Sequence, residues 1–119
     1  MGLTIREEDG NLMMMRLTGL LKKAELDAVQ AAAAKRLGPN TSIKLLIVEV
    51  NFKGWERGAD WGDLSFYAKY GDKITKIAIV GDPKWKTDLM MFAGANFRAA
   101  PVEFFPSNQI EDARMWLAE

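Results

Sequence analysis

Residues 43–61 read IKLLIVEVNFKGWERGADW, and the opening run of this stretch decides the fold. Ile43-Lys44-Leu45-Leu46-Ile47-Val48-Glu49-Val50 is short, apolar and rich in β-branched residues, the pattern of a central strand buried on both faces. The polar residues and glycine of Asn51-Phe52-Lys53-Gly54 are expected to end that strand. Beyond them come Trp55, Glu56, Arg57, Asp60 and Trp61, large rings mixed with charges at the C-terminal end of a strand, where open α/β sheets place their ligands.

Elements of both periods surround this strand. Leu3 and Ile5 alternate with Thr4 and Arg6, Asp9-Gly10 offers the positive dihedral angles of a tight hairpin, and Leu12 to Leu17 continues as a second strand. Met13, Met15 and Leu17 fall on one face of that strand, with Leu12, Met14 and Arg16 on the other. Leu26, Val29, Ala33 and Leu37 then repeat with helical spacing. This predicts an amphipathic helix over 22–37, closely apposed to the sheet through Ala31 to Ala34 and stopped by Gly38-Pro39.

Helical spacing returns at Trp61, Leu64 and Ala68, so a second helix is expected to begin between Glu56 and Asp60 and to end at Gly71. Ile74 to Val80 reads as another buried strand. Asp82 as N-cap and Pro83 in the first helical position start a third helix, with Trp85, Leu89 and Phe92 inward and an end near Gly94. Val102 to Phe105, bracketed by Pro101 and Pro106, suits an edge strand. Asn108 and Glu111 have the spacing of a capping box for a last helix, with Ile110, Ala113 and Leu117 as its inner stripe. The order ββαβαβαβα predicts one α/β domain over residues 1–119, with helices packed on a mixed, mostly parallel sheet and the hairpin extending one side.

Composition excludes several function classes. Sixteen basic residues balance sixteen acidic ones, which leaves no net field to hold a nucleic acid. With no cysteine and no histidine, thiol chemistry, a histidine general base and the usual zinc, copper and iron–sulfur donors are all absent; no metal or other cofactor is expected. The first residues form no apolar signal segment, and no apolar run approaches the roughly 20 residues of a membrane span. A cytoplasmic location without a transmembrane segment is expected.

Three stretches, Glu8-Asp9-Gly10-Asn11, Glu49 to Glu56, and Ile79-Val80-Gly81-Asp82-Pro83-Lys84-Trp85, together with the closing Ala113 to Leu117, resemble the SpoIIAA-like, STAS-related family of small bacterial proteins. The resemblance spans essentially the whole chain. It implies a SpoIIAA-like (STAS-like) fold and a non-enzymatic binding or regulatory module. The wider group includes anti-sigma-factor antagonists and cytoplasmic domains of anion transporters, which also implies a transport-associated role. The antagonists carry a phosphorylatable serine in the turn after the central strand. Here Asn51 to Gly58 contains no serine or threonine, and Ser65 falls beyond the turn, so no phosphorylation site is carried over.

The binding surface expected from the sequence is Phe52, Lys53, Gly54, Trp55, Arg57, Trp61 and Trp85, a docking patch for a protein partner or a small ligand. The same rings also suit a structural role, capping the core and pinning helices to the sheet. A second function class is a carrier of a small apolar or amphiphilic molecule, lined by Met13, Met15, Trp55, Trp61, Trp85 and Phe92. A third is an enzyme using Glu49, Glu56 and Asp60 as paired carboxylates. Glu56, Asp60 and Asp63 would also share one face of a helix, where they either hold a hard cation or offset the helix dipole. Gly54 and Gly58, with Lys53 and Arg57, could admit an anion, and Lys84 and Lys86 beside Trp85 an acidic partner or a lipid headgroup; turn formation alone explains both glycines, and alternating lysines around a buried ring more often form a solvated face. Partners are thus a protein or a small ligand, with a homo-oligomer admitted.

Overall fold

The computed structural model describes residues 2–8, 10–38, 40–61, 65–95 and 98–119. Its elements are β1 (Leu3–Glu8), β2 (Leu12–Leu21), α1 (Lys23–Ala34), β3 (Ile43–Trp55), α2 (Ser65–Tyr70), β4 (Ile74–Gly81), α3 (Lys86–Phe92), β5 (Val102–Pro106) and α4 (Ile110–Ala118). The strands form one five-stranded sheet in the order β1-β2-β3-β4-β5. β1 pairs antiparallel with β2, and every other pairing is parallel. The predicted element order and the mostly parallel sheet are thus both present.

This order fixes where the helices go. Each parallel strand is laid beside the previous one in the same direction, so right-handed crossovers put α1, α2 and α3 on the same face. α4 follows the last strand and covers the opposite face. The core divides accordingly. Met13, Met15, Leu17, Leu45, Ile47, Ile77 and Ile79 pack under the crossover helices with Leu26, Ala33 and Leu89. Leu46, Val48, Ala78 and Val80 pack under α4 against Ala113 and Leu117. The period-two alternation read from the sequence therefore holds through β4, the first part of β3 and β2 beside it.

β3 departs from expectation. It does not stop at Val50 but runs to Trp55 beside the long β2, with Thr18 opposite Val50, Gly19 opposite Phe52 and Leu20 opposite Gly54. Asn51 and Lys53 are the unmatched residues, so the polar segment that reads as a strand end is a pair of bulges. Asn51 has φ 55° and Gly54 φ 99°, left-handed values that asparagine and glycine tolerate best. The insertion at Asn51 resets the alternation. Odd-numbered residues face the crossover helices before it, and even-numbered Phe52, 3% exposed, joins the same cluster after it.

The second helix is also corrected. Its described residues are Ser65–Tyr70, and it does not begin between Glu56 and Asp60, since residues 56–61 form a loop. Gly58 (φ 79°) breaks the right-handed path there, and the Trp61 indole N–H donates to the Glu56 carbonyl at 2.8 Å. Trp61 therefore lies outside the helix, while Asp63 and Leu64 lie outside the described residues. In the hairpin, Glu8 pairs with Leu12, and the positive φ angles fall on Gly10 and Asn11; Asp9 lies outside the described residues.

Helix ends are held as much by tertiary contacts as by local caps. Asp82 accepts from the Lys84 N–H at 3.0 Å, as its sequence position predicts, and starts a short 3₁₀ turn before α3. The capping box at Asn108 does not form: α4 starts at Ile110, Gln109 occupies the cap position, and its side chain makes no capping bond. α1 has no side-chain cap from Lys22 either; instead the Lys23 N–H donates to the Glu56 carboxylate across the fold at 3.1 Å. Glu8 ties the hairpin to α4, accepting from Arg114 at 2.7 and 3.3 Å and from Arg6 at 2.7 Å. These guanidinium bonds hold its carboxyl well below the usual range, at about 2.

Candidate functional site

Between the crossover helices and the sheet lies a cavity of about 550 Å³. The sheet contributes Met13, Met15, Leu45, Ile47 and Ile77, and α1 contributes Leu26, Val29 and Ala33. Trp61, Phe66 and Phe92 border it from the loop after β3, α2 and α3. The charged side chains among its described lining residues are Lys23 and Arg98. A space of this size and composition falls within the range of small-molecule sites. Apolar cavities also remain dry and accept apolar ligands, because water entering them finds few hydrogen-bond partners.

The local sequence explains the space. Ala33 is buried on the inner face of α1 and borders the cavity with a single methyl group. The alanines predicted to bring α1 close against the sheet thus leave room at this position. Met13 and Met15 line the cavity with unbranched, flexible thioethers.

The expected aromatic residues separate into two groups. Trp61 and Phe92 line the cavity, as Met13 and Met15 do. Phe52, Trp55 and Trp85 pack on one another beside it, with ring centroids 5.0 Å apart for Phe52–Trp55, 4.9 Å for Phe52–Trp85 and 6.0 Å for Trp55–Trp85. Phe92 joins the two groups, its ring 5.7 Å from that of Trp55. The edge-on geometry suits the ring quadrupoles, and Trp55 and Trp85, expected as lining, are not among the residues that border the cavity. Gly54 carries the strand past the Trp85 ring. The Trp85 indole N–H is buried without a hydrogen-bond partner among the described residues. Lys53, a bulge residue of β3, and Arg57, on the loop after it, are exposed.

The carboxylates considered for catalysis or metal binding do not share a helical face. Glu49 is 7% exposed, and its two oxygens accept from the Phe52 N–H at 2.9 Å and the Asp82 N–H at 2.8 Å. It thereby clamps the β3 bulge to the start of the turn before α3. Gly81 makes room for it, since a Cβ there would stand 2.5 Å from a Glu49 oxygen. Glu56 caps α1, and Asp60 is exposed on the loop. Glu49 and Glu56 are thus braces for main-chain N–H groups.

A second, polar cleft of about 340 Å³ lies at the C-terminal ends of β3 and β4, bordered by Asn51, Lys53, Lys84 and Ser107. Sequence reasoning did not single out Leu26, Val29, Phe66, Lys23 or Arg98 as site residues. The α1 stripe identified Leu26 and Val29 as inward-facing, but no one-dimensional pattern reports a gap between layers.

Comparison with known proteins agrees with this architecture. No curated protein matches the chain. Among solved structures, it resembles the crystal structure of an uncharacterized protein with a SpoIIAA-like fold from Shewanella loihica PV-4, with a TM-score of 0.74 and 21% identity, covering 97% of this chain and 91% of that one. The SpoIIAA-like family model matches residues 12–118, from the first residue of β2 to the end of α4. The chain belongs to the SpoIIAA-like family.

Proposed function

We propose that this protein is a non-enzymatic module that binds a small apolar or amphiphilic molecule between its crossover helices and its sheet. One observation carries the reading: a cavity of about 550 Å³ interrupts an otherwise packed core and is lined by methionine, aliphatic and aromatic side chains. Met13, Met15, Trp61 and Phe92 contact the ligand, and the Phe52–Trp55–Trp85 cluster backs its wall. Native mass spectrometry of freshly purified protein tests this. A retained mass that disappears on denaturation is expected; no retained mass, with no thermal shift on adding 1-decanol, refutes it.

The polar cleft favours a second reading, in which a protein partner docks over the β3 bulge and the residues that follow it. Lys53, which borders the cleft, and exposed Arg57 on the loop beyond β3 are its charged contacts, suited to a regulatory or transport-associated partner with an acidic surface. Charge reversal at both positions should abolish partner recovery in a pull-down without altering the fold. Undiminished recovery excludes that interface.

A further inference from the structure

Resting on the cavity as a ligand site, we infer that its occupant is a neutral amphiphile, an apolar body carrying a hydroxyl group, and that Gln30 reads this hydroxyl. Leu26, Val29, Gln30 and Ala33 stand at i, i+3, i+4 and i+7 along α1, and all four line the cavity. An amide thus occupies a position that the period of the helix assigns to an apolar side chain. Gln30 is half-buried, and its carboxamide makes no hydrogen bond to any of the described residues. It borders the space with both a donor and an acceptor uncommitted to the protein.

The charged side chains among the described lining residues are already engaged. Lys23 pairs with Asp27 one turn along α1 and makes a further interaction besides. The Arg98 Nε donates to the Ala93 carbonyl at 2.8 Å, its Nη1 approaches the Gly71 carbonyl at 3.5 Å, and it too has a further interaction. A charged head group entering the cavity would displace these partners or lose its hydration without compensation, and an ion in an apolar space bears that loss heavily. A hydroxyl loses far less hydration, and a carboxamide restores it: the Gln30 carbonyl oxygen accepts the O–H, and the NH₂ group donates to the hydroxyl oxygen. Met13, Met15, Leu45 and Ile47 then hold the apolar body against the sheet.

Calorimetric titration of lipid-stripped protein with 1-decanol, its isomer methyl nonyl ether, decanoate and decylammonium tests the assignment. The ether accepts a hydrogen bond but donates none, so decanol should bind about three- to tenfold more tightly, the effect of one hydrogen bond between neutral groups. Both ions should bind more weakly than decanol. Gln30→Leu should bring decanol level with the ether, and Gln30→Glu should turn the preference towards decylammonium, a reversal that a merely structural glutamine would not produce. Equal binding of decanol and the ether by the unmodified protein, or tightest binding of either ion, overturns the hydroxyl assignment and leaves the cavity reading standing. Binding of none of the four overturns the cavity reading itself. A decanol preference that survives in Gln30→Leu removes Gln30 from the role.

Discussion

Replacing Ala33 with leucine should stabilise the empty protein and weaken ligand binding at the same time. Ala33 is 7% exposed and borders the cavity from the inner face of α1. Leucine adds three carbons to this space, and its helix propensity is close to that of alanine, so packing decides the outcome. At about 0.8 kcal/mol for each buried CH₂ the maximum gain is ~2.4 kcal/mol; imperfect filling reduces it to about 1–2 kcal/mol. For a domain of this size that raises the melting temperature by ~4–8 °C. The assay is a thermal melt of lipid-stripped protein with and without 1-decanol. The variant should melt higher when empty and lose most of the shift that decanol gives the parent. A tightly packed site would respond in the opposite way, because forcing extra methylenes into a full core costs about 1–3 kcal/mol. A lower melting temperature in the empty variant would refute the cavity.

Other substitutions test the framework around the site. Glu49→Ala leaves the Phe52 and Asp82 N–H groups without their acceptor and should cost about 3–5 kcal/mol in urea unfolding; a loss under ~1 kcal/mol would show that the clamp is dispensable. Gly81→Ala, which places a methyl 2.5 Å from a Glu49 oxygen, should destabilise by about 1–3 kcal/mol, and pairing it with Glu49→Ala should recover part of that loss. The Glu8 carboxyl, with its folded value lowered from 4.5 to about 2, contributes stability that is complete above the unfolded value and lost as pH falls from 4.5 towards 2. Arg6 is two-thirds exposed (67%), so solvent screening limits the contribution to about 1 kcal/mol; unfolding curves at pH 6 and pH 3 should differ less in Glu8→Gln, and an equal difference would rule the linkage out.

Much of the fold was legible because it depends on alternation. Met13 and Met14, or Leu45 and Leu46, point to opposite layers through strand geometry alone, and the sequence shows this directly. The bulges were not legible, since Asn51, Lys53 and Gly54 serve a strand end and a distorted strand equally well; the long partner β2 settles the matter. The 56–61 loop was misassigned because the spacing of Trp61 with later apolar residues outweighed Gly58, whose left-handed backbone ends any helix begun before it. Four expected lining residues, Met13, Met15, Trp61 and Phe92, do border the cavity. Periodicity identifies the direction a side chain faces but not the distance to the next layer, so the volume itself emerges only from the assembled structure.

The sequential strand order has a consequence for how the chain assembles. Each strand of the β1-β2-β3-β4-β5 sheet meets the strand before it, so no pairing has to open to admit a later arrival. Loops closed between neighbours are shorter than those joining distant strands, which lowers the entropic cost of each addition. The sheet can therefore grow outward from the hairpin, strand by strand, as the polypeptide emerges. α4 comes last, and until it docks, Leu46, Val48, Ala78 and Val80 stay open to water. The apolar surface most exposed to wrong association during synthesis is thus the side away from the cavity, and its protection waits for the final helix.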